Sequence, residues 1–168
     1  DCITKNEFKL ILHHLHKNNF ILINPHELFF VQDSQISRKQ LYLPKGKKPL
    51  IFSFDDVNYD HRKMGKGMVD KLILDKNGEI ATQTQKNGKI YISKDNEFVP
   101  ILNSFVNSHP DFSFKGAKGV LCLTGYDGIL GYRTQSKNKT NRNQEIAECK
   151  KVVQKLKSDG WIFACHSY

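Results

Sequence analysis

The sequence has few cysteines and no long apolar run, and both shortages exclude classes of protein. Its four cysteines, Cys2, Cys122, Cys149 and Cys165, include no CxxC pair, which argues against a zinc knuckle or a thioredoxin-like motif. No stretch approaches the roughly 18 to 20 apolar residues of a membrane-spanning helix, so we predict no membrane span. The first ten residues, DCITKNEFKL, lack the basic head and apolar stretch of a signal peptide.

Acidic residues are also scarce, at 17 against 26 lysines and arginines, which gives a formal net charge of +9. This excess of positive charge is compatible with binding to an anionic cell wall or a nucleic acid, and also with simple solubility. The densest basic stretch, residues 133–142, is predicted to be a solvated polar loop, with a polyanion contact as the alternative. Only the net charge supports a nucleic-acid binder, so we predict no nucleic-acid partner and keep nucleic-acid binding as a third hypothesis. The cysteines in apolar runs and on a helix face are predicted to be buried free thiols, not disulfides.

Helical and extended patterns alternate along the chain, which is typical of a parallel α/β architecture. Thr4 and Glu7 form a capping box, and two Asn-Gly pairs mark hairpin turns. The apolar run at residues 50–54 lacks alternation, so we expect a strand covered on both faces. The predicted elements are a helix from residue 4, strands at 20–23, 50–54, 119–124 and 161–164, a helical turn at 26–31, a β-meander inserted at 75–95, and helices at 97–108 and from about 143 to 158.

Reactive side chains follow two of the predicted strands. Asp55 and Asp56 come directly after residues 50–54, and His166 follows the last strand. In βα architectures, functional groups gather where the strands end. Adjacent residues on an extended chain point in different directions, so one aspartate can bind a metal while the other acts as a base. The ordinary alternative is that the aspartate pair only caps a helix or a turn.

Two stretches resemble motifs of the polysaccharide deacetylase family, also called the NodB-homology or carbohydrate esterase 4 family. Residues 52–56, FSFDD, resemble its T/S-F-D-D motif, and residues 160–167, GWIFACHS, resemble the strand that leads into its H-S-x-x-H motif. The preceding helix and the strand at residues 119–125 are also similar to the family. The resemblance covers about residues 45–168.

The resemblance implies a fold and an activity. The fold would be the first part of a distorted (β/α) barrel, in a single domain over residues 1–168 that is C-terminally incomplete and therefore inactive by itself. The activity would be metal-dependent hydrolysis of N- or O-acetyl groups from an acetylated polysaccharide. Such substrates imply a location outside the cell or in the cell envelope.

The resemblance also implies roles for particular residues. Asp55 corresponds to the catalytic base, and Asp56 and His166 correspond to ligands of a divalent metal, with zinc expected. The second histidine ligand of the family would lie beyond Tyr168. Val57 departs from the family pattern, which has glycine at this position.

A glycine-rich loop offers further candidates. Tyr126, Tyr132 and Arg133 are possible substrate contacts through stacking on sugar rings, against the alternative of a purely structural loop. A second functional hypothesis is a non-catalytic carbohydrate or cell-wall binding domain, which would keep the fold and bind sugar without releasing acetate.

Two other patterns suggest different chemistry. Asp55, Asp56 and Asp60 spell the D-D-x-x-x-D pattern of prenyl synthases, but that pattern needs presentation on helices, and a β-rich run precedes it here. The histidines at the end of the first predicted helix are expected to be polar surface residues, with a metal cluster as the alternative; they are His13, His14 and His16.

Overall fold

The computed structural model describes residues 3–167. In this part of the chain, three α-helices and ten short strands are joined by loops and four 3-10 turns. In chain order the elements are α1 (Lys5–Lys17), β1 (Phe20–Leu22), β2 (Phe29–Gln32), β3 (Gln35–Arg38), β4 (Lys48–Leu50), β5 (Ser53–Phe54), β6 (Lys71–Leu74), β7 (Ile80–Lys86), β8 (Lys89–Ser93), α2 (Phe98–Ser108), β9 (Val120–Leu123), α3 (Arg142–Ser158) and β10 (Ile162–Cys165).

The first helix begins where the capping box predicts. The Thr4 hydroxyl accepts a hydrogen bond from the Glu7 N–H at 3.2 Å, and the Thr4 N–H donates to the Glu7 carboxylate at 2.7 Å. These bonds satisfy two N–H groups that the start of a helix leaves unpaired. Phe8 and Leu12 are buried on the face that meets the core, so the predicted capping box and helix are confirmed.

Two parallel sheets lie at the centre of the fold. β1 pairs with β4, and β9 pairs with β5 on one side and with β10 on the other. The single strand predicted at residues 50–54 is wrong, because this segment changes partner midway. The Leu50 carbonyl accepts from the Ile23 N–H at 2.9 Å, whereas the Phe52 carbonyl accepts from the Val120 N–H at 2.8 Å. The segment is also not covered on both faces, since Ile51 is 37% exposed.

The strands β6, β7 and β8 form an antiparallel meander, which confirms the meander predicted at residues 75–95 and extends it toward the N-terminus. Asn87 and Gly88 have φ angles of 51° and 75°. Positive φ at both central residues is what a two-residue type I′ hairpin requires. The Asn87-Gly88 pair therefore correctly predicts the turn between β7 and β8.

The helical turn predicted at residues 26–31 is wrong beyond its first residues. Only the 3-10 turn Pro25–Glu27 is helical, and the chain then forms the antiparallel hairpin of β2 and β3. Asp33 and Ser34, at φ angles of 50° and 63°, make the tight turn between these strands. The hairpin has no glycine, so the usual sequence signal for such a turn is missing.

One hydrophobic core joins the helices, the parallel sheets and the meander. Trp161, which is 2% exposed, donates its indole N–H to the Asn103 side chain at 2.8 Å and so ties α2 to the start of β10. The helix α2 contributes the largest buried set of the three helices: Val99, Pro100, Ile101, Leu102, Phe105 and Val106.

The architecture is mixed α/β. The sheets formed by residues 3–167 do not close into a barrel, so the first part of a (β/α) barrel stays a prediction. Within the same residues, no helix has both the length and the apolar character that crossing a membrane requires.

The cysteines only partly follow the sequence prediction. Cys122 and Cys149 are buried free thiols, as predicted. Cys165 is free but exposed, because β10 is an edge strand and the residue lies at its end. Cys2 lies outside the described residues.

Candidate functional site

Asp55, Asp56 and His166 lie together at one edge of the three-stranded parallel sheet. The aspartates follow β5 and the histidine follows β10, on the other side of β9. His166 Nε2 lies 3.9 Å from Asp55 Oδ2, and His166 Nδ1 lies 3.6 Å from Asp56 Oδ1. The His166 N–H also donates to the Leu123 carbonyl at 2.9 Å, which fixes the histidine backbone against β9. The structure thus brings together the three residues that the strand-end argument selects.

The backbone after β5 is shaped by an unusual aspartate and an anchoring valine. Asp56 has a φ of 55°, in the left-handed region that non-glycine residues seldom occupy and that aspartate tolerates better than most. Asp55 Oδ1 accepts a hydrogen bond from the Ser53 hydroxyl at 3.3 Å. Val57 is 5% exposed, and its N–H donates to the Cys122 carbonyl at 3.4 Å. The Val57 side chain therefore anchors the loop in the core.

Both carboxylates of this site are open to solvent. The side chains of Asp55 and Asp56 are 62% and 74% exposed, and that of His166 is 34% exposed. Among residues 3–167, neither carboxylate pairs with a lysine or an arginine, and His166 is the basic group nearest to both. Carboxylates without a fixed counterion beside an imidazole are able to accept a metal ion or a proton.

Asp55 and Asp56 border a cleft of about 430 Å³. The loop after β5 supplies one wall and the segment leading into α2 supplies another, with Met68, Glu97 and Phe98 among the lining residues. A volume of this size lies within the range of ligand sites in proteins, and the lining combines several polar and charged side chains with apolar ones.

Glu97 carries the most perturbed carboxyl group of this cleft. It is the N-cap of α2, and its Oε2 accepts from the Val99 N–H at 3.0 Å. Burial raises the pKa of Glu97 to about 7, although these helix N–H bonds and the Tyr59 hydroxyl oppose the rise. That hydroxyl is itself buried beside Glu97 without a hydrogen bond of normal geometry. Burial, followed by the neighbouring carboxylate, raises the pKa of Tyr59 well above its ordinary value.

The sequence does not identify Glu97 as a site residue. It predicts only that Glu97 lies at the start of a helix, where a glutamate is ordinarily exposed. A signal was present in Pro100, which marks the first helical turn, together with the apolar residues around Glu97. Those features predict a buried helix start, but they do not say that the start faces Asp55.

A second titratable cluster contains Asp60, His61 and Asp127, whose ligand atoms all lie within 4.8 Å of one another and form a candidate metal-binding triad. Asp127 is 5% exposed. Its Oδ2 accepts from the His61 N–H and contacts His61 Nδ1, both at 2.6 Å, and Arg133 Nη1 donates to it at 3.0 Å. Arg62 forms an ion pair with Asp60. Each carboxylate of the triad therefore already has a guanidinium partner.

These partners keep both carboxylates of the triad ionised. Burial raises the pKa of Asp127, but the hydrogen bonds from His61 and the charge of Arg133 outweigh burial and bring the pKa below its ordinary value. The side chain and N–H of Arg62 hold the pKa of Asp60 well below its usual range. A metal ion at this triad would have to compete with two guanidinium groups.

The three loop residues predicted to contact substrate lie in different environments. Tyr126 is 37% exposed and lines a shallow depression together with Asp56. Tyr132 is 4% exposed and packs in the hydrophobic core, so its ring offers no face to a ligand. The Arg133 guanidinium is bound to Asp127 and to backbone carbonyls of neighbouring loops. Of these three residues, only Tyr126 is positioned beside the Asp56 carboxylate.

The alternative aspartate pattern does not form the arrangement that it would need. Asp60 precedes a 3-10 turn, His61–Lys63, and its carboxylate accepts from the Arg62 N–H at 2.9 Å. The aspartates therefore lie on a loop and not on helix faces, which agrees with the sequence argument against the prenyl-synthase pattern.

The histidines of α1 also have ordinary roles. The His13 and His16 rings lie 5.8 Å and 4.8 Å from the His109 ring. His16 Nε2 lies 3.0 Å from Asp111, and His14 contacts Asn18 at the helix end. His13 and His14 are exposed and His16 is half-buried, as expected for polar residues at a surface.

Comparison with known proteins identifies no relative. No family model matches the chain, no curated protein matches it, and no solved structure matches it. The site is therefore interpreted from its own geometry.

Proposed function

We propose that this protein takes part in the metal-dependent hydrolysis of acetyl groups from an acetylated polysaccharide, with Asp55 as the base. One observation carries the proposal: Asp55, Asp56 and His166, from strands far apart in sequence, meet within 4 Å at one sheet edge. The motif resemblance at residues 52–56 and 160–167 suggests the substrate class, and the location in the cell envelope or outside the cell follows from that substrate.

Asp56 and His166 fit a divalent metal. Two ligands of one zinc ion, each about 2.0–2.2 Å from it, lie roughly 3–4 Å apart, and Asp56 Oδ1 and His166 Nδ1 are separated by 3.6 Å. Imidazole and carboxylate ligands together suit zinc. When bound, the metal would supply an activated water and polarise the acetyl carbonyl. The triad of Asp60, His61 and Asp127 fits a metal less well, because guanidinium groups neutralise both of its carboxylates.

The His166 ring contacts the backbone that follows it, since its Nδ1 lies 3.0 Å from the Ser167 carbonyl oxygen. A metal ion at Nδ1 would replace this contact, because a ligating imidazole nitrogen carries no proton.

Asp55 is arranged to act as a base. The Ser53 hydroxyl donates to one carboxylate oxygen, and the other faces His166. The exposed side chain can reach a water molecule in the cleft and take its proton as the water attacks the acetyl carbon. Tyr126 lines the same depression as Asp56 and is the candidate for contact with a sugar, and the Lys137 ammonium lies over its ring, 6.0 Å from the centroid.

Zinc binding and acetate release test the proposal together. We expect zinc binding, measured by calorimetry, to weaken by at least tenfold in Asp56→Asn and in His166→Gln. In a longer protein that supplies the second histidine ligand implied by the motif resemblance, acetate release from acetylated chito-oligosaccharides and xylan should require added zinc and be abolished by Asp55→Asn. The matched control is Asp33→Asn at the exposed hairpin tip, where asparagine tolerates the same backbone.

The two functional hypotheses predict different results. Sugar binding without acetate release from any of the substrates would favour a non-catalytic carbohydrate-binding domain. Zinc affinity that is unchanged by Asp56→Asn and His166→Gln would refute the metal assignment, and affinity lost instead in Asp127→Asn would assign the metal to the other cluster.

A further inference from the structure

We propose that Arg133 is a positioning residue of the metal site, which holds the loop after β5 so that Asp56 faces His166. The inference rests on the proposed function, because it concerns the geometry of the same two metal ligands. The sequence suggests Arg133 as a substrate contact, but its guanidinium binds groups of the protein itself, and only 18% of the side chain is exposed. Its role is therefore to join segments of the chain.

The Arg133 guanidinium ties the loop after β5 to the loop after β9, which runs from residue 124 to residue 141 and contains Arg133. Within its own loop, Nη1 donates to the Asp127 carbonyl at 2.6 Å and to the Asp127 carboxylate at 3.0 Å. In the other loop, Nη2 donates to the Tyr59 carbonyl at 2.8 Å and contacts Met64 Sδ at 3.2 Å. Because the guanidinium is a planar, rigid fork, one group fixes the distance between the two loops.

Arg133 is itself held in place. Its N–H donates to the Glu145 carboxylate, in the first turn of α3, at 2.8 Å. Gly128 lets the loop turn back tightly, since a Cβ at this residue, whose φ is 101°, would come 1.9 Å from the Tyr132 carbonyl oxygen. This turn returns Arg133 to Asp127, whose side chain is 2% exposed. The bridge is therefore anchored to α3 as well as to both loops.

The loop after β5 needs support because its backbone is strained. Asp56 and Tyr59 have φ angles of 55° and 52°. Positive φ is uncommon for aspartate and an outlier for a bulky residue such as tyrosine, and it persists only where the surroundings fix it. The Val57 N–H bond to the Cys122 carbonyl is long, at 3.4 Å. The shorter, charge-assisted bond from Arg133 to the Tyr59 carbonyl is the stronger of these two restraints.

This restraint bears on the spacing of the metal ligands. Asp56 lies between β5 and Tyr59, so loss of the bond to the Tyr59 carbonyl would free the backbone on the C-terminal side of Asp56. His166 is fixed independently through its N–H bond to β9. The 3.6 Å between Asp56 Oδ1 and His166 Nδ1 therefore depends on the loop after β5.

Zinc affinity, measured by calorimetry, tests the role in Arg133→Lys and Arg133→Gln, each shown to be folded by urea unfolding. The lysine keeps a positive charge beside Asp127 but lacks the fork that binds both loops. Groups that orient metal ligands are worth roughly 10- to 100-fold in affinity. Because Arg133 acts on the loop and not on the carboxylate, we expect both variants to bind zinc about tenfold more weakly.

The matched control is Arg62→Gln. It removes the same charge from the same neighbourhood, but the Arg62 guanidinium pairs with Asp60 within the loop after β5 and does not bridge to another element. We expect its zinc affinity to equal that of the unmodified protein. Any effect of net charge alone on zinc binding would appear in Arg62→Gln and be absent from Arg133→Lys.

Amide hydrogen exchange of the metal-free protein separates a positioning role from a general loss of stability. Without the bridge the loop after β5 opens locally, so the Val57 amide should exchange about tenfold faster in Arg133→Lys, whereas the amides of β9 should keep their rates. Equal acceleration at Val57 and in β9 would overturn the positioning role, because it would show that Arg133 only stabilises the whole fold.

The direction of the change in zinc affinity separates the remaining outcomes. Unchanged affinity in both Arg133 variants, with Asp56→Asn and His166→Gln still weakening it, would overturn the positioning role and leave the proposed metal site standing. Higher affinity in Arg133→Gln would also overturn the role, since zinc would then occupy the triad that contains Asp127, freed of its competing guanidinium. Affinity unchanged by Asp56→Asn and His166→Gln would overturn the metal assignment and the positioning role together.

Discussion

Replacing Glu97 with glutamine should remove a pH-dependent loss of stability. The pKa of Glu97 is raised by burial from its ordinary value of 4.5 to about 7, so the folded protein holds this proton more tightly than the unfolded chain does. The stability from this group is therefore complete below about pH 4.5 and is lost as the pH rises through about 7. At about 1.4 kcal/mol per pKa unit, the whole loss is about 3 to 4 kcal/mol, and roughly 2 kcal/mol of it falls between pH 5 and pH 8.

Urea unfolding at pH 5 and at pH 8 measures this effect. Between these pH values, the free energy of unfolding of the unmodified protein should fall by roughly 2 kcal/mol more than that of Glu97→Gln. Other titrating groups, the histidines included, are common to both proteins and cancel in the comparison. Glu148→Gln, at an exposed position on α3, should behave like the unmodified protein. Parallel pH dependence in the unmodified protein and in Glu97→Gln would show that Glu97 titrates normally and would refute the reasoning.

Two further changes test the packing around the site. Asp127→Ala should lower the free energy of unfolding by about 3 kcal/mol, because it leaves the Arg133 guanidinium, which is 18% exposed, without its counterion; a loss below 1 kcal/mol in urea unfolding would contradict this. Gly160→Ala should destabilise the protein more than Gly46→Ala in thermal unfolding. Both glycines have positive φ, but an added Cβ at Gly160 would come 1.9 Å from the Gly116 carbonyl oxygen, whereas Gly46 has open space.

The sequence predicted those parts of the fold that local rules determine. The capping box at Thr4 and the Asn87-Gly88 turn are set by bonds within a few residues, and both appear as expected. The strand at residues 50–54 was misjudged because its division depends on two partners, β1 and β9, that are distant in sequence. An apolar run shows that a strand is present, but it does not show where the strand exchanges one neighbour for another.

The candidate site shows the same contrast between residues that the local sequence identifies and residues that depend on tertiary contacts. Asp55, Asp56 and His166 could be selected because strand ends of a parallel sheet share an edge. Glu97 and Asp127 could not, because their properties come from tertiary contacts. Glu97 is perturbed by burial against the loop after β5, and Asp127 by contacts with a histidine and an arginine from other loops.

The strand order β10–β9–β5 has a consequence for folding. The central strand β9 must acquire a partner from each side, and β10 is synthesised after both β5 and β9. Contacts between residues so distant in sequence form slowly, because closing long loops costs chain entropy. Asp56 and His166 therefore become neighbours only after both edges of the sheet are assembled. A ligand that requires both residues would recognise only the completed fold, and its binding energy would then add to global stability by mass action.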